Sequence, residues 1–342
     1  MHTIDNTLSA PTTETMFSED MNGCAPRLDP DVWGERLTCF TAALCVWIAR
    51  RQPHWWRPLV AGGPVLALQQ RGRYWLFEHA PSPWLPSLGL RMEGSDDWNE
   101  ARRVLMSELQ SEGAVIIAGD VWHLPWQRGF QRWHAPHWFV LQRDAKGLFI
   151  DERIDLMTPE GPQRPERVYV EPETLYEYAR SLQPLNEVVR LRELSIAGKD
   201  DLASGAHYRW LRTTPLCESL HAAPEPPLRL EGASACFALA GYFETKGMDA
   251  SAYEQADDLW QALRQRELIA GAFEQDARLG GEEVRCHWQE ALVEWRKIPV
   301  LLLHAKLRAG KGSSRPAMML GAALRRVAKF EGRHLIKAEV EN

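Results

Sequence analysis

Residues 137–155 read HWFVLQRDAKGLFIDERID, and their pattern decides the fold. An apolar run, an Asp-Ala-Lys-Gly turn and a second apolar run predict an antiparallel hairpin. Immediately upstream, AVIIAGDVWHLPW (114–126) begins as a buried strand and ends in a bend at Pro125. VLALQQRGRYWLFEH (65–79) reads as a further hairpin. Between these lies DDWNEARRVLMSELQSEG (96–113), an amphipathic helix with acids in its first turn and Gly113 at its close. TCFTAALCVWIARR (38–51) is an apolar helix ending in Arg50 and Arg51, where cations complement the helix dipole. PETLYEYARSLQ (172–183) predicts one more helix, opened by Pro172.

Beyond about residue 185 the strand signals stop and helical patterns take over at 234–246, 252–277, 282–309 and 316–330. Pro299 must kink or split the third of these, because proline removes a helical hydrogen bond and clashes with the preceding turn. HAAPEPPLRLEGAS (221–234) is a Pro-rich connector. The expected class is α+β, in three parts. Residues 1–30 form a flexible segment rich in Ser, Thr and acids, 31–183 a mixed front domain, and 184–342 a helical rear domain.

Composition narrows the function classes. The 342 residues are 45% hydrophobic and 25% charged, ordinary for a globular chain. A formal net charge of −6 argues against nucleic-acid binding, which requires a clustered basic surface. Most of the 15 tryptophans precede residue 140, so that half can build an aromatic core or an apolar cleft. The six cysteines include no Cys-x-x-Cys pair, which disfavours a zinc ribbon, and the chain is long for a disulfide scaffold. The first residues carry no apolar core of a signal peptide, and no apolar run nears the roughly 20 residues that span a bilayer. No membrane association and a reducing, cytoplasmic setting are expected.

A thiol attacks carbonyl carbon as its thiolate, and the free N–H groups at a helix N-terminus favour that form. Cys39 heads the first apolar helix, and its own backbone N–H could help hold an oxyanion. His137 opens one strand of the decisive hairpin and Asp151 ends the next, so local geometry can bring an acid to an imidazole. Together they suggest a nucleophile, a base and an orienting acid. Cys39 as a core residue and Asp151 as a turn cap are the competing structural readings. Cys236, also at a helix start, is a rival nucleophile without a His-led strand behind it. Cys45 is mid-helix and reads as core. His123, His134 and His137 with Asp120 and Asp151 contain metal-ligand types, but Pro136 breaks the helical spacing, and no metal is expected.

Cysteine at a helix head, then GDVWHLPW, HAPHWFVL and LFIDE, resembles over residues 31–170 the N-terminal domain of the butirosin biosynthesis protein H family. That family is itself similar to the C39-type, papain-like cysteine peptidases, and the helical region resembles, more loosely, the domain often fused to it. The resemblance implies a papain-like fold and acyl transfer from a phosphopantetheine thioester on an acyl or peptidyl carrier protein to an amine or hydroxyl of a small-molecule acceptor, with no further cofactor. It casts Cys39 as nucleophile, His137 as base and Asp151 as orienter, and matches Asp120 to the family's acid before Leu-Pro. On the residues themselves, Asp120, His134, Trp122 and Trp126 are candidate substrate contacts, with a capping acid, a structural histidine and core tryptophans as the competing readings. Thr38 stands where the family commonly has His, and Trp33 where the peptidases place the glutamine that serves the oxyanion. Hydrolysis or cyclisation at the same Cys-His-Asp site, peptidase activity, and a non-catalytic binding or scaffold role are the alternatives. The segment 296–337, with eleven Lys or Arg against one Glu, suits an acidic carrier or a pantetheine phosphate, or is a solvated helical face.

Overall fold

The structure, a computed structural model, describes residues 33–60, 66–78, 85–158, 160–197, 205–214, 229–276 and 279–331. The chain runs α1 (Cys39–Ala49), α2 (Trp56–Val60), β1 (Ala67–Arg71), β2 (Tyr74–Glu78), β3 (Leu90–Ser95), α3 (Trp98–Glu112) and β4 (Ala114–Asp120). Next come β5 (Pro136–Asp144), β6 (Gly147–Glu152), β7 (Leu156–Thr158), β8 (Gly161–Gln163), β9 (Glu166–Val170), α4 (Leu175–Tyr178), α5 (Glu187–Ala197), β10 (Tyr208–Thr213) and β11 (Arg229–Glu231). The described part closes with α6 (Gly232–Lys246), α7 (Ala256–Gln275), α8 (Gly281–Trp295), α9 (Lys297–Arg308) and α10 (Arg315–Glu331). Helix and sheet are mixed, as the α+β reading requires. The segment expected to be flexible, 1–30, lies outside the described residues.

The decisive hairpin forms as read: β5 and β6 pair antiparallel across the 144–147 turn, with Val140 opposite Asp151. They belong to a six-stranded sheet of order β3-β10-β4-β5-β6-β9. The run AVIIAGD is apolar at consecutive positions because β4 is covered on both faces and buried along its whole length. On one face Ile116, Ala118, Trp138, Val140 and Leu211 join a cluster with α1 and the rear helices. On the other, Val115, Ile117, Phe139 and Leu141 pack under α3 with Ala101, Leu105 and Leu109.

Several boundaries follow from capping chemistry. Thr38 and Thr41 form a reciprocal capping box at the start of α1. Asp97 accepts from Asn99 N–H at the start of α3, and Gly113 ends that helix at φ 73°, a left-handed conformation a Cβ disfavours. The expected 282–309 helix is split at Arg296, with Pro299 near the start of the second piece, where its missing N–H costs nothing.

Two expectations are corrected. The helix predicted over 172–183 is only the single turn α4. Ser181 leaves it because its N–H donates to His207 O (2.7 Å), its hydroxyl donates to Ala118 O (3.2 Å), and Arg180 bridges Tyr208. Strands also do not end before residue 184. β10 inserts between β3 and β4, so the expected 183/184 boundary falls between two parts of one sheet. Its Arg209, wholly buried, reaches Glu193 of α5 and lies over the Trp138 ring; a buried arginine on the core face of a short strand obscures the alternation. One apolar cluster also runs from α1 through the sheet to α10.

The rear helices are tied to the rest by a buried carboxylate. Glu331 accepts from Arg266 (2.9 and 2.7 Å), Trp295 Nε1 (2.8 Å) and the backbone N–H of Leu66 (3.1 Å), joining α10, α7, α8 and the approach to β1. Removing one partner of a buried ion pair strands the other charge, at a cost of about 3–5 kcal/mol. Glu331→Ala is therefore expected to lower the urea unfolding free energy by that order, while Arg325→Ala, an exposed pair with Glu244, changes it by about 0–1 kcal/mol.

Candidate active site

The N-terminus of α1 meets the start of β5. Phe40 packs edge-on against Trp138, with ring centroids 5.3 Å apart, which sets Cys39 beside His137. At the helix end, Thr38 N–H and Thr41 N–H are taken by the capping box and Ala42 N–H by Thr38 O. The N–H groups of Cys39 and Phe40 have no acceptor among the described residues and remain available to an anion. Cys39 is partly exposed and packs at the margin of the core cluster.

His137 is buried. Its Nε2 lies 2.5 Å from Glu152 Oε2, and it shares a side-chain hydrogen bond with Cys39. With Nε2 committed to Glu152, Nδ1 is the ring atom left to meet the sulfur. Burial alone would lower the imidazole pKa. The Glu152 carboxylate, the hydrogen bond to Cys39 and the hydrogen bond to Glu152 outweigh it and push the value up to about 10. The ring is therefore an imidazolium at neutral pH.

The acid behind the ring is Glu152, not Asp151, and the expected role of Asp151 is corrected. Side chains alternate along a strand. Val140 pairs with Asp151, so Asp151 shares the face of Val140 and Trp138, while Glu152 shares the face of Phe139 and His137. Asp151 instead pairs with Arg153 (2.6 Å) and accepts from Gln142 Nε2 (3.3 Å); Gln142 in turn accepts from Arg50 at the end of α1 (2.6 Å). It anchors the far end of α1, the helix that Cys39 heads. Glu152 is held as an acceptor on all sides: Oε2 also receives Gln127 Nε2 (2.7 Å), and Oε1 receives the N–H groups of Arg153 and Ile154 (3.1 Å each). Gln127 was not foreseen. It lies in the 121–135 loop, and its Nε2 is 3.1 Å from His137 Nε2. Nothing in the spacing reveals it, because the loop's own folding delivers it.

Asp120 both caps and holds. Its Oδ1 accepts from Trp122 N–H (3.2 Å) and Ala135 N–H (3.1 Å), and its Oδ2 lies 2.6 Å from His134 Nδ1. The His134 ring stacks on Trp122 at 4.6 Å, with its side chain half exposed. Trp126 is set edge-on between Phe139 and Tyr178, beneath Gln127 on the His137 face. Gly119, opposite His137 in the ladder, has Tyr178 O only 2.5 Å from where a Cβ would stand, so that backbone approach requires glycine.

Trp33 cannot serve an oxyanion. It is buried between Trp55 and Trp56 and closes on Gly271. Cys236 and Cys45 are sealed in the core, where burial pushes both thiols up and leaves them unreactive. Among the described residues no group of three or more His, Cys, Asp or Glu is arranged to hold a metal ion. No helix of the described residues is long and apolar enough to cross a membrane.

Compared with known families and with curated proteins, the chain matches no family model and no curated protein.

Because the folded pKa of His137 exceeds the unfolded value near 6.5, the stability this group contributes is full below about pH 6.5 and is lost as pH rises through about 10. Urea unfolding at pH 6, 8 and 10.5 is expected to show that decline. Glu152→Gln should flatten it, and should lower the His137 midpoint in an NMR titration by more than one pH unit, roughly 1.4 kcal/mol of lost interaction.

Proposed function

We propose that the chain is a cysteine-dependent acyltransferase of papain-like architecture, which takes an acyl group from a thioester onto Cys39 and passes it to an amine or hydroxyl. The observation that carries this reading is a partly exposed thiol at a capped helix N-terminus, hydrogen-bonded to an imidazole that a buried carboxylate keeps protonated. A protonated imidazole beside the sulfur favours the thiolate, the form that attacks carbonyl carbon.

The first half-reaction moves no proton. The Cys39 thiolate attacks the thioester carbonyl, the new C–S bond forms, and the donor's C–S bond breaks as the donor sulfur leaves as thiolate. The free N–H groups of Cys39 and Phe40 face the developing oxyanion in place of the glutamine that Trp33 cannot supply. His137 keeps its proton between sulfur and Glu152. The assignment of His137 as a free base thus gives way to one of ion-pair partner, with Glu152 as orienter.

The resemblance to the butirosin biosynthesis protein H family supports a carrier-bound pantetheine thioester as donor. Lys306, Arg308, Lys311 and Arg315 are exposed near the exposed Val300, Leu303 and Leu307 of α9, a surface suited to an acidic carrier. Hydrolysis or cyclisation would use the same acyl-enzyme with water or an internal nucleophile. A peptidase is less well supported, because Trp33 stands where the usual oxyanion donor would be.

Intact-mass analysis after mixing with S-acetyl-N-acetylcysteamine is expected to show one acetyl group, located on Cys39, and none in Cys39→Ala. An unmodified wild-type protein, or equal labelling of the variant, sinks the reading.

A further inference from the structure

We propose that His134, held by Asp120 and stacked on Trp122, is the catalytic residue that takes the proton from the acceptor nucleophile when it attacks the acyl-enzyme. The inference rests on the acyl-transfer reading above and supplies the step that reading leaves without a base.

The acceptor brings a proton that must leave. When an amine attacks the Cys39 thioester, a C–N bond forms, the C–S bond breaks and sulfur departs as thiolate. One proton from nitrogen then has to reach an acceptor before the amide is neutral. His137 is poorly placed for that, since its Nε2 is committed to Glu152 and the ring is already hydrogen-bonded to Cys39. The contact with Glu152 does not depend on the sulfur, so Nε2 stays committed when Cys39 is acylated.

His134 has the opposite arrangement. Its Nδ1 is 2.6 Å from the Asp120 carboxylate, which fixes the tautomer with hydrogen on Nδ1 and the lone pair on Nε2. Half of the side chain is exposed, and Nε2 has no partner among the described residues. Stacking on Trp122 at 4.6 Å and 13° holds the ring plane. Asp120 is buried and receives two backbone N–H groups besides the ring, so the carboxylate is fixed before any substrate arrives.

The dyad lies at the correct end and on the correct face of the sheet. Asp120 pairs with Pro136, and Gly119 with His137, so Asp120 ends its strand beside the start of the His137 strand. Alternation places Asp120 on the face of Ala118 and Trp138, the face against which Phe40, next to Cys39, is packed. The Asp120 carboxylate also turns the proton gained by His134 into half of a stabilised pair, as a base oriented by an acid requires.

The test separates the two half-reactions in the full-length protein. Cys39 is loaded with S-acetyl-N-acetylcysteamine, excess donor is removed, and loss of the acetyl group is followed by intact mass with and without ethanolamine. His134→Ala is expected to slow the ethanolamine-dependent discharge about a hundredfold relative to its own loading rate, and added imidazole is expected to restore much of it. Asp120→Asn keeps Oδ1 for the Trp122 and Ala135 N–H groups but donates to His134 Nδ1, which moves the ring hydrogen to Nε2. It should show the same slow discharge with normal unfolding behaviour. An unchanged ratio of discharge to loading in His134→Ala, equal loss of both steps, or absence of imidazole rescue overturns the inference while leaving acyl transfer intact. Failure of the wild type to load overturns both.

Discussion

A buried imidazolium and a buried carboxylate can leave water only if each satisfies the other, and the contact of His137 with Glu152 is the constraint around which this molecule is arranged. The pair needs two neighbouring antiparallel strands in one particular register, a loop that returns Gln127 to cover it, and a helix that begins where the ring's second nitrogen emerges. Each of those is a separate structural feature with its own stabilising contacts. The ion pair is where they converge, and the imidazole hydrogen-bonded to the thiol is half of it.

The helix carrying Cys39 is fastened at both ends by means that leave its first turn exposed. At its head, the Thr38–Thr41 box consumes local donors but spares the two N–H groups nearest the sulfur. Along its length, a mean composition with hardly any polar residue makes it a core helix between sheet and rear helices. At its foot, Arg50, Gln142 and Asp151 link it to the hairpin. The Asp151 carboxylate thus helps hold the helix, and its neighbour Glu152 meets the His137 ring.

The rear helices do more than close the fold. β10 returns from beyond residue 205 to complete the sheet, and the Glu331 cluster ties the last helix to the entry of the first hairpin. The two imidazoles at the sheet end each meet a buried carboxylate but differ in their own exposure: His137 is sealed inside with Glu152, whereas Asp120 holds a half-exposed His134.

Local patterning by itself determined the helix headed by Cys39, the hairpin that starts at His137, the buried strand that opens 114–126, and the closing Gly113, because turns, caps and apolar periodicity act within a few residues. It also determined that Cys39 and His137 were the pair to consider. Only the tertiary structure decided between Asp151 and Glu152, since adjacent residues on a strand point to opposite faces and the choice depends on register. It likewise decided that Gln127 reaches His137, that Trp33 is locked in the core, and that a strand after residue 205 enters the front sheet. Those are long-range contacts, fixed by which surfaces bury one another, and no short window of sequence contains both partners.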